Sequence, residues 1–128
     1  MPRVVHFEIQ GTQPEALSRF YSDLFGWKCT QWGGAPYWLV ETGPDGERGI
    51  NGGLLPRNGP PPVHGAGVNA FVCTVEVPAL DEYFARALAL GGTMAVPKMP
   101  IPSVGWLVYV KDPDGNILGL MQPDPAAR

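Results

Sequence analysis

The chain reads almost the same way twice. A strand, a helix ended by glycine, further strands and a closing apolar run that contains glycine fill residues 4–55, and the same order returns over residues 70–121. One constant shift lays Gly26 on Gly92, Gly53 on Gly119 and Leu54 on Leu120. An internal repeat that carries its own helix and strands points to two half-modules that bury their sheets together. It also gives a chemical test, because it shows which residue stands at the equivalent place in the other half.

Each copy can be read from its periodicity. Val4 to Ile9 alternates, with Phe7 and Ile9 toward one face and His6 and Glu8 toward the other. Thr12-Gln13-Pro14-Glu15 has the form of a capping box, and Leu17, Phe20, Tyr21 and Leu24 then make one helical stripe that Gly26 ends. Strands are expected over 27–32, 37–41 and 49–55. In the second copy they fall over 70–77, 93–96, 106–110 and 117–121, with a helix carrying Leu80, Tyr83, Phe84, Ala87 and Leu88. Pro97 to Pro102 holds three prolines and is expected to be a loop or an edge, and the tail from Pro123 onward is expected to fray. The expected organisation is one domain over 1–128. It has a first module at about 3–55, a proline-rich linker at about 56–67 and a second module at about 68–122. The fold class is α+β: two tandem βαβββ modules whose curved mixed sheets enclose a shared cleft, helices outside.

Composition excludes several function classes. With a net charge of −3 and no basic stripe, nucleic acid is not an expected partner. No apolar run approaches a membrane span, and Met1-Pro2-Arg3-Val4-Val5 lacks the apolar stretch of a signal peptide, so a cytoplasmic protein is expected. Cys29 and Cys73 stand in separate strands without a Cys-x-x-Cys partner and are expected to be buried free thiols.

The ordered set of His6 in the first strand, Phe20-Tyr21, Phe25-Gly26-Trp27 at the helix end and Asp112-Pro113-Asp114-Gly115-Asn116 before the last strand resembles the vicinal oxygen chelate superfamily. That superfamily takes in glyoxalase I, bleomycin resistance proteins and extradiol dioxygenases. His6-Phe7-Glu8-Ile9, Gly49 to Leu54 and Pro97 to Pro102 resemble, more narrowly, small bacterial proteins that include halves of SgaA-type proteins. The resemblance implies a homodimer, as do open sheets, which gain by pairing with a second copy.

In metal-using members of the superfamily the ligands would stand at His6, Gly53, Val72 and Gly119. Only His6 of these can donate, so no metal and no other cofactor is expected. Asn51, Thr74 and Glu76 share faces with those positions, and His6, Glu8 and Glu76 together could hold a metal only weakly. His6 and Glu8 are instead the candidate acid–base pair, since a histidine and a carboxylate on one face can share a proton or orient a ligand. Trp38, Trp106 and Met121, with Asn51, Thr74 and Glu76, are the candidate ligand-binding residues, an aromatic wall with few charges. The leading expectation is a protein of glyoxalase/bleomycin-resistance type that binds a small, partly apolar organic molecule in the cleft without the usual metal. A metal-dependent lyase, isomerase or dioxygenase of the same superfamily, and a module that serves only assembly, are the other readings.

Overall fold

A computed structural model describes residues 2–128. The element order is β1 (Glu8–Gly11), α1 (Pro14–Phe25), β2 (Lys28–Gln31), β3 (Trp38–Glu41), β4 (Gly52–Pro56), β5 (Thr74–Glu76), α2 (Leu80–Ala89), β6 (Thr93–Ile101), β7 (Gly105–Lys111) and β8 (Ile117–Pro123). This is βαβββ twice, an α+β fold with two four-stranded mixed sheets ordered β1-β4-β3-β2 and β5-β8-β7-β6. The chain divides into two compact units, one up to Pro61 and one from Pro62.

In the first unit, the α1 stripe is buried as its spacing requires: Leu17, Phe20, Tyr21 and Leu24 join Val40 and Leu54 in the core. Tyr21 stacks on Trp27 at 5.5 Å, and Phe25 and Phe7 approach the same indole at 4.7 and 6.1 Å. Gly26 caps the helix in the left-handed region (φ 75°), its N–H donating to the Ser22 carbonyl at 2.8 Å. The helix cap falls at Gln13, one residue after the expected Thr12. Pro14 drives the residue before it out of the helical region, so Gln13 (φ −127°, ψ 89°) becomes the cap and offers no side-chain hydrogen bond. The first strand also starts later than its alternation implies, because the ladder to β4 begins at the Glu8–Gly53 pair.

In the second unit, Val77, Leu80, Ala87, Val108, Val110, Leu118 and Leu120 form the core, whereas Leu88 at the edge of the α2 stripe is 42% exposed. The proline-rich stretch, a loop or an edge by its composition, is an edge strand. β6 runs through Pro97 and Pro100, and shifts of register between Met94 and Met99 absorb the missing donors. The expected fraying of the tail is overturned. Asp124 and Ser103 N–H groups donate to the Val104 and Ala127 carbonyls at 2.9 and 3.0 Å, Trp106 Nε1 donates to Asp124 Oδ2 at 3.0 Å, and Ala127 is buried. Both cysteines are free thiols, but only Cys29 is half-buried; Cys73 is exposed.

The repeat is visible in the hydrogen bonds themselves. Gly53 N–H donates to the Phe7 carbonyl and Gly119 N–H to the Cys73 carbonyl, both at 2.9 Å. Glu8 pairs with Gly53 and Thr74 with Gly119, both in parallel register. The Asp112-Pro113-Asp114-Gly115-Asn116 motif is a turn built on one carboxylate. Buried Asp112 accepts from the Asp114 and Asn116 N–H groups at 2.9 and 3.0 Å and from the Asn116 amide at 2.9 Å.

Candidate functional site

Side chains alternate across a strand, so the β1–β4–β3 register sorts the first unit into two faces. Ile9, Leu54, Trp38 and Val40 share the α1 side: Ile9 pairs with Leu54, and Leu54 with Trp38. Gly11, two residues beyond Ile9, lies so close to α1 that a Cβ there would reach Leu17 Cδ2 at 2.7 Å. The opposite face carries Glu8, Gly53 and Leu39, paired in that order across the sheet.

On that bare face three polar side chains meet. His6 Nε2 lies 2.8 Å from Tyr37 Oη, Tyr37 Oη donates to Glu8 Oε2 at 3.0 Å, and His6 Nε2 stands 4.0 Å from the same carboxylate oxygen. The His6 and Glu8 side chains are 48% and 46% exposed, so the group is reachable from solvent. The phenol packs on the Gly53 backbone, where any Cβ would fall on the ring and its hydroxyl. Loss of hydration, then the hydrogen bond to Glu8 and its negative charge, push the Tyr37 phenol above the usual tyrosine range. It therefore stays protonated through neutral pH. Two apolar groups flank the trio: Trp32, 65% exposed and edge-on to the Tyr37 ring at 6.2 Å, and Leu39, 43% exposed.

The remaining candidates take other places in the two sheets. Thr74, Glu76 and Met121 share one face of the second sheet with Gly119, Tyr109 and Leu107. Trp38 and Trp106 do not share the exposed faces. Trp38 alternates with Tyr37, and Trp106 pairs with Gln122, whose amide oxygen accepts from the Leu80 N–H at the start of α2. Trp106 is further held by Asp124 and by Lys98, whose Nζ lies 5.3 Å above its ring. Asn51 fastens the β3–β4 connection, its Oδ1 accepting from the Thr42 N–H at 2.9 Å. Tyr37 stands at the centre of this candidate site and Trp32 at its flank, although neither is among the binding residues expected from the sequence. A signal for Tyr37 does exist: Val40 belongs to the core, so Tyr37, three residues before it, falls on the other face.

The donors do not fit the metal of the superfamily. Of the four ligand positions, 53 and 119 are glycines, 72 is valine, and the space a side chain at 53 would need is taken by the Tyr37 phenol. Among the described residues no three His, Cys, Asp or Glu side chains gather as metal ligands do. No helix of the described residues is long and apolar enough to cross a membrane.

A family model described as a glyoxalase-like domain matches residues 6–121. Among solved structures, a glyoxalase/bleomycin resistance protein/dioxygenase family enzyme from Burkholderia phytofirmans PsJN aligns with a TM-score of 0.72 at 16% identity. The match covers 93% of this chain and 97% of that one. A glyoxalase-related enzyme from Fulvimarina pelagi gives 0.68 at 21% identity, over 100% and 98%. A mutant of the fosfomycin resistance protein FosX from Listeria monocytogenes, complexed with Mn(II) and 1S,2S-dihydroxypropylphosphonic acid, gives 0.72 at 18% identity, over 94% and 90%. At these identities the structures show a shared fold. The curated proteins yield no match.

Proposed function

The chain belongs to the family of glyoxalase-like domains, and from that premise we propose that it binds a small, partly apolar organic molecule on the His6–Tyr37–Glu8 face without the usual metal. The observation that carries this reading is the hydrogen-bonded trio itself, exposed on the sheet face away from α1 and flanked by Trp32 and Leu39. A few placed polar groups beside apolar surface are what orients a small ligand. Trp32, 65% exposed, supplies a flat surface for stacking. The chemistry within reach of the trio is hydrogen bonding and mild acid–base assistance.

The narrower kinship with SgaA-type bacterial proteins belongs to the same proposal and rests on the segments His6-Phe7-Glu8-Ile9, Gly49 to Leu54 and Pro97 to Pro102. So does assembly as a homodimer, which sedimentation at micromolar concentration would test.

The experiment is a fragment screen of small aromatic molecules by tryptophan fluorescence and thermal shift. It is repeated on His6→Ala and Trp32→Ala. Genuine ligands of this face should lose at least about tenfold in affinity in each variant, roughly the worth of one good hydrogen bond or stacking contact. Ligands that bind both variants as tightly as the parent would sink the reading.

A further inference from the structure

The trio contains more information than its distances. Glu8 is solvent-accessible, and an ionised carboxylate can only accept hydrogen bonds. A phenol has a single O–H, and here it is directed to Glu8 Oε2. The phenol oxygen can then meet His6 Nε2 only as an acceptor, so the proton on Nε2 is the one that fills the 2.8 Å contact. A neutral imidazole has one N–H. If Nε2 holds it, Nδ1 is a bare lone pair, and among the described residues the polar partners of His6 are Tyr37 and Glu8, both met through Nε2. Tyr37 is in turn held by its seat on Gly53, which allows the ring no closer neighbour.

We propose that Tyr37 is a positioning residue which, with Glu8 behind it, locks His6 in the Nε2–H tautomer and leaves Nδ1 free to accept from a ligand that presents a proton donor. This inference rests on the ligand-binding reading above and narrows it to a class: small, partly apolar molecules bearing a hydroxyl or N–H group. Molecules whose only polar groups are acceptors find no donor at this imidazole, because its one ring N–H is already committed to the phenol.

The test begins without a ligand. The chain has two histidines, His6 and His64, and His64 lies exposed in a turn, so His64→Gln leaves one imidazole to observe. Nitrogen-15 NMR at about pH 8, above the ordinary imidazole range, should show His6 as the Nε2–H tautomer. Tyr37→Phe keeps the ring over Gly53 but removes the hydroxyl, and should let the minor Nδ1–H form of an unconstrained imidazole appear beside Nε2–H while leaving the melting temperature close to the parent. Glu8→Gln is a second variant. Its amide can donate to the phenol as well as accept, so the chain can run in either direction and the Nδ1–H form should again appear. An Nδ1–H tautomer in the parent, or an unchanged spectrum in Tyr37→Phe, overturns the role of Tyr37 whatever the protein binds.

The ligand arm uses a matched pair, phenol and anisole, at equal concentration. Phenol should move the Nδ1 resonance and anisole should not. Equal responses, or none to phenol, overturn the donor-ligand class while a fixed tautomer would still uphold the role of Tyr37. The two failures are therefore read separately.

Discussion

The two halves share a backbone frame and differ in what they hang on it. Phe7 and Cys73 offer the same carbonyl to Gly53 and Gly119, and the strand pairs that follow are in the same register. The side chains diverge at once. His6, Phe7 and Glu8 in the first half become Val72, Cys73 and Thr74 in the second. Over Gly53 lies a phenol joined to a histidine and a carboxylate; over Gly119 lie Thr74 Oγ1 at 2.9 Å and Leu107 Cδ1 and Tyr109 Cε1 at 3.3 Å from where a Cβ would stand. The ladder thus fixes where a side chain can be, and a few substitutions decide whether that place is chemical or merely packed. Glycine at both positions makes room, but for different occupants.

The sharpest way to break this comparison is to truncate its equivalent members. Phe7→Ala should cost about 3 kcal/mol, since the ring belongs to the Trp27 cluster. Cys73→Ala, at the matching but exposed position, should stay within about 0.5 kcal/mol. Urea titrations of the two variants giving equal midpoints would mean that the shared frame, and not the side chain, sets their worth.

Next come the glycines. Gly53→Ala places a methyl on the Tyr37 ring and should cost roughly 1–3 kcal/mol, as overpacking does. Gly119→Ala meets Thr74 Oγ1 at 2.9 Å, the end of a side chain that can rotate, and should cost less. The origin of the difference can be isolated by a double-mutant cycle: Gly53→Ala should be nearly neutral in a Tyr37→Ala background. A penalty that survives there would place the strain in the backbone.

His6→Ala and Val72→Ala should both melt close to the parent, because neither side chain is buried. Only His6→Ala should lose ligand. If His6→Ala melts as badly as Phe7→Ala, the histidine is structural and the candidate site is lost.

The smallest effect belongs to the tail of the second half. Hydrogen bonds from the Ala126 N–H and then from Trp106 hold the Asp124 carboxyl below the usual range. A depressed pKa in the folded state stabilises above the unfolded value and ceases to do so as pH falls through the folded one. Asp124→Asn should therefore lower the melting temperature slightly at neutral pH. The gap should close in acid, below the ordinary aspartate range. A gap constant with pH would show that the charge is irrelevant there.

Much of this molecule is legible in its sequence, and the rest fails for identifiable reasons. Helix stripes announce themselves because one element decides which side is buried, and Leu17, Phe20, Tyr21 and Leu24 are buried as expected. Strand faces need a partner to settle them. Trp38 and Trp106 read as cleft aromatics only while the core identity of Val40 and Val108 is left out. Tyr37 is hidden because its role arises from cross-strand neighbours, Glu8 and Gly53, far away in sequence. Proline in β6 misleads in the same way: it forbids a central strand but says nothing of an edge, which the sheet order alone assigns. The tail reads as loose by composition, yet it is anchored by backbone groups that no side-chain pattern records.

The long β6–β7 hairpin has a kinetic consequence. The parallel pairings of β1 with β4 and of β5 with β8 each close an equally long stretch of chain, so both halves meet the same entropic barrier there. The second half has a local alternative to begin from: strands of 9 and 7 residues joined by a short turn, against 4 and 4 for β2 and β3. Local pairings form first because each one orders only a short length of chain. The second half is thus the natural nucleus, and its amides in β7 and β8 should exchange slowest with deuterium. The half that carries the candidate site would assemble later.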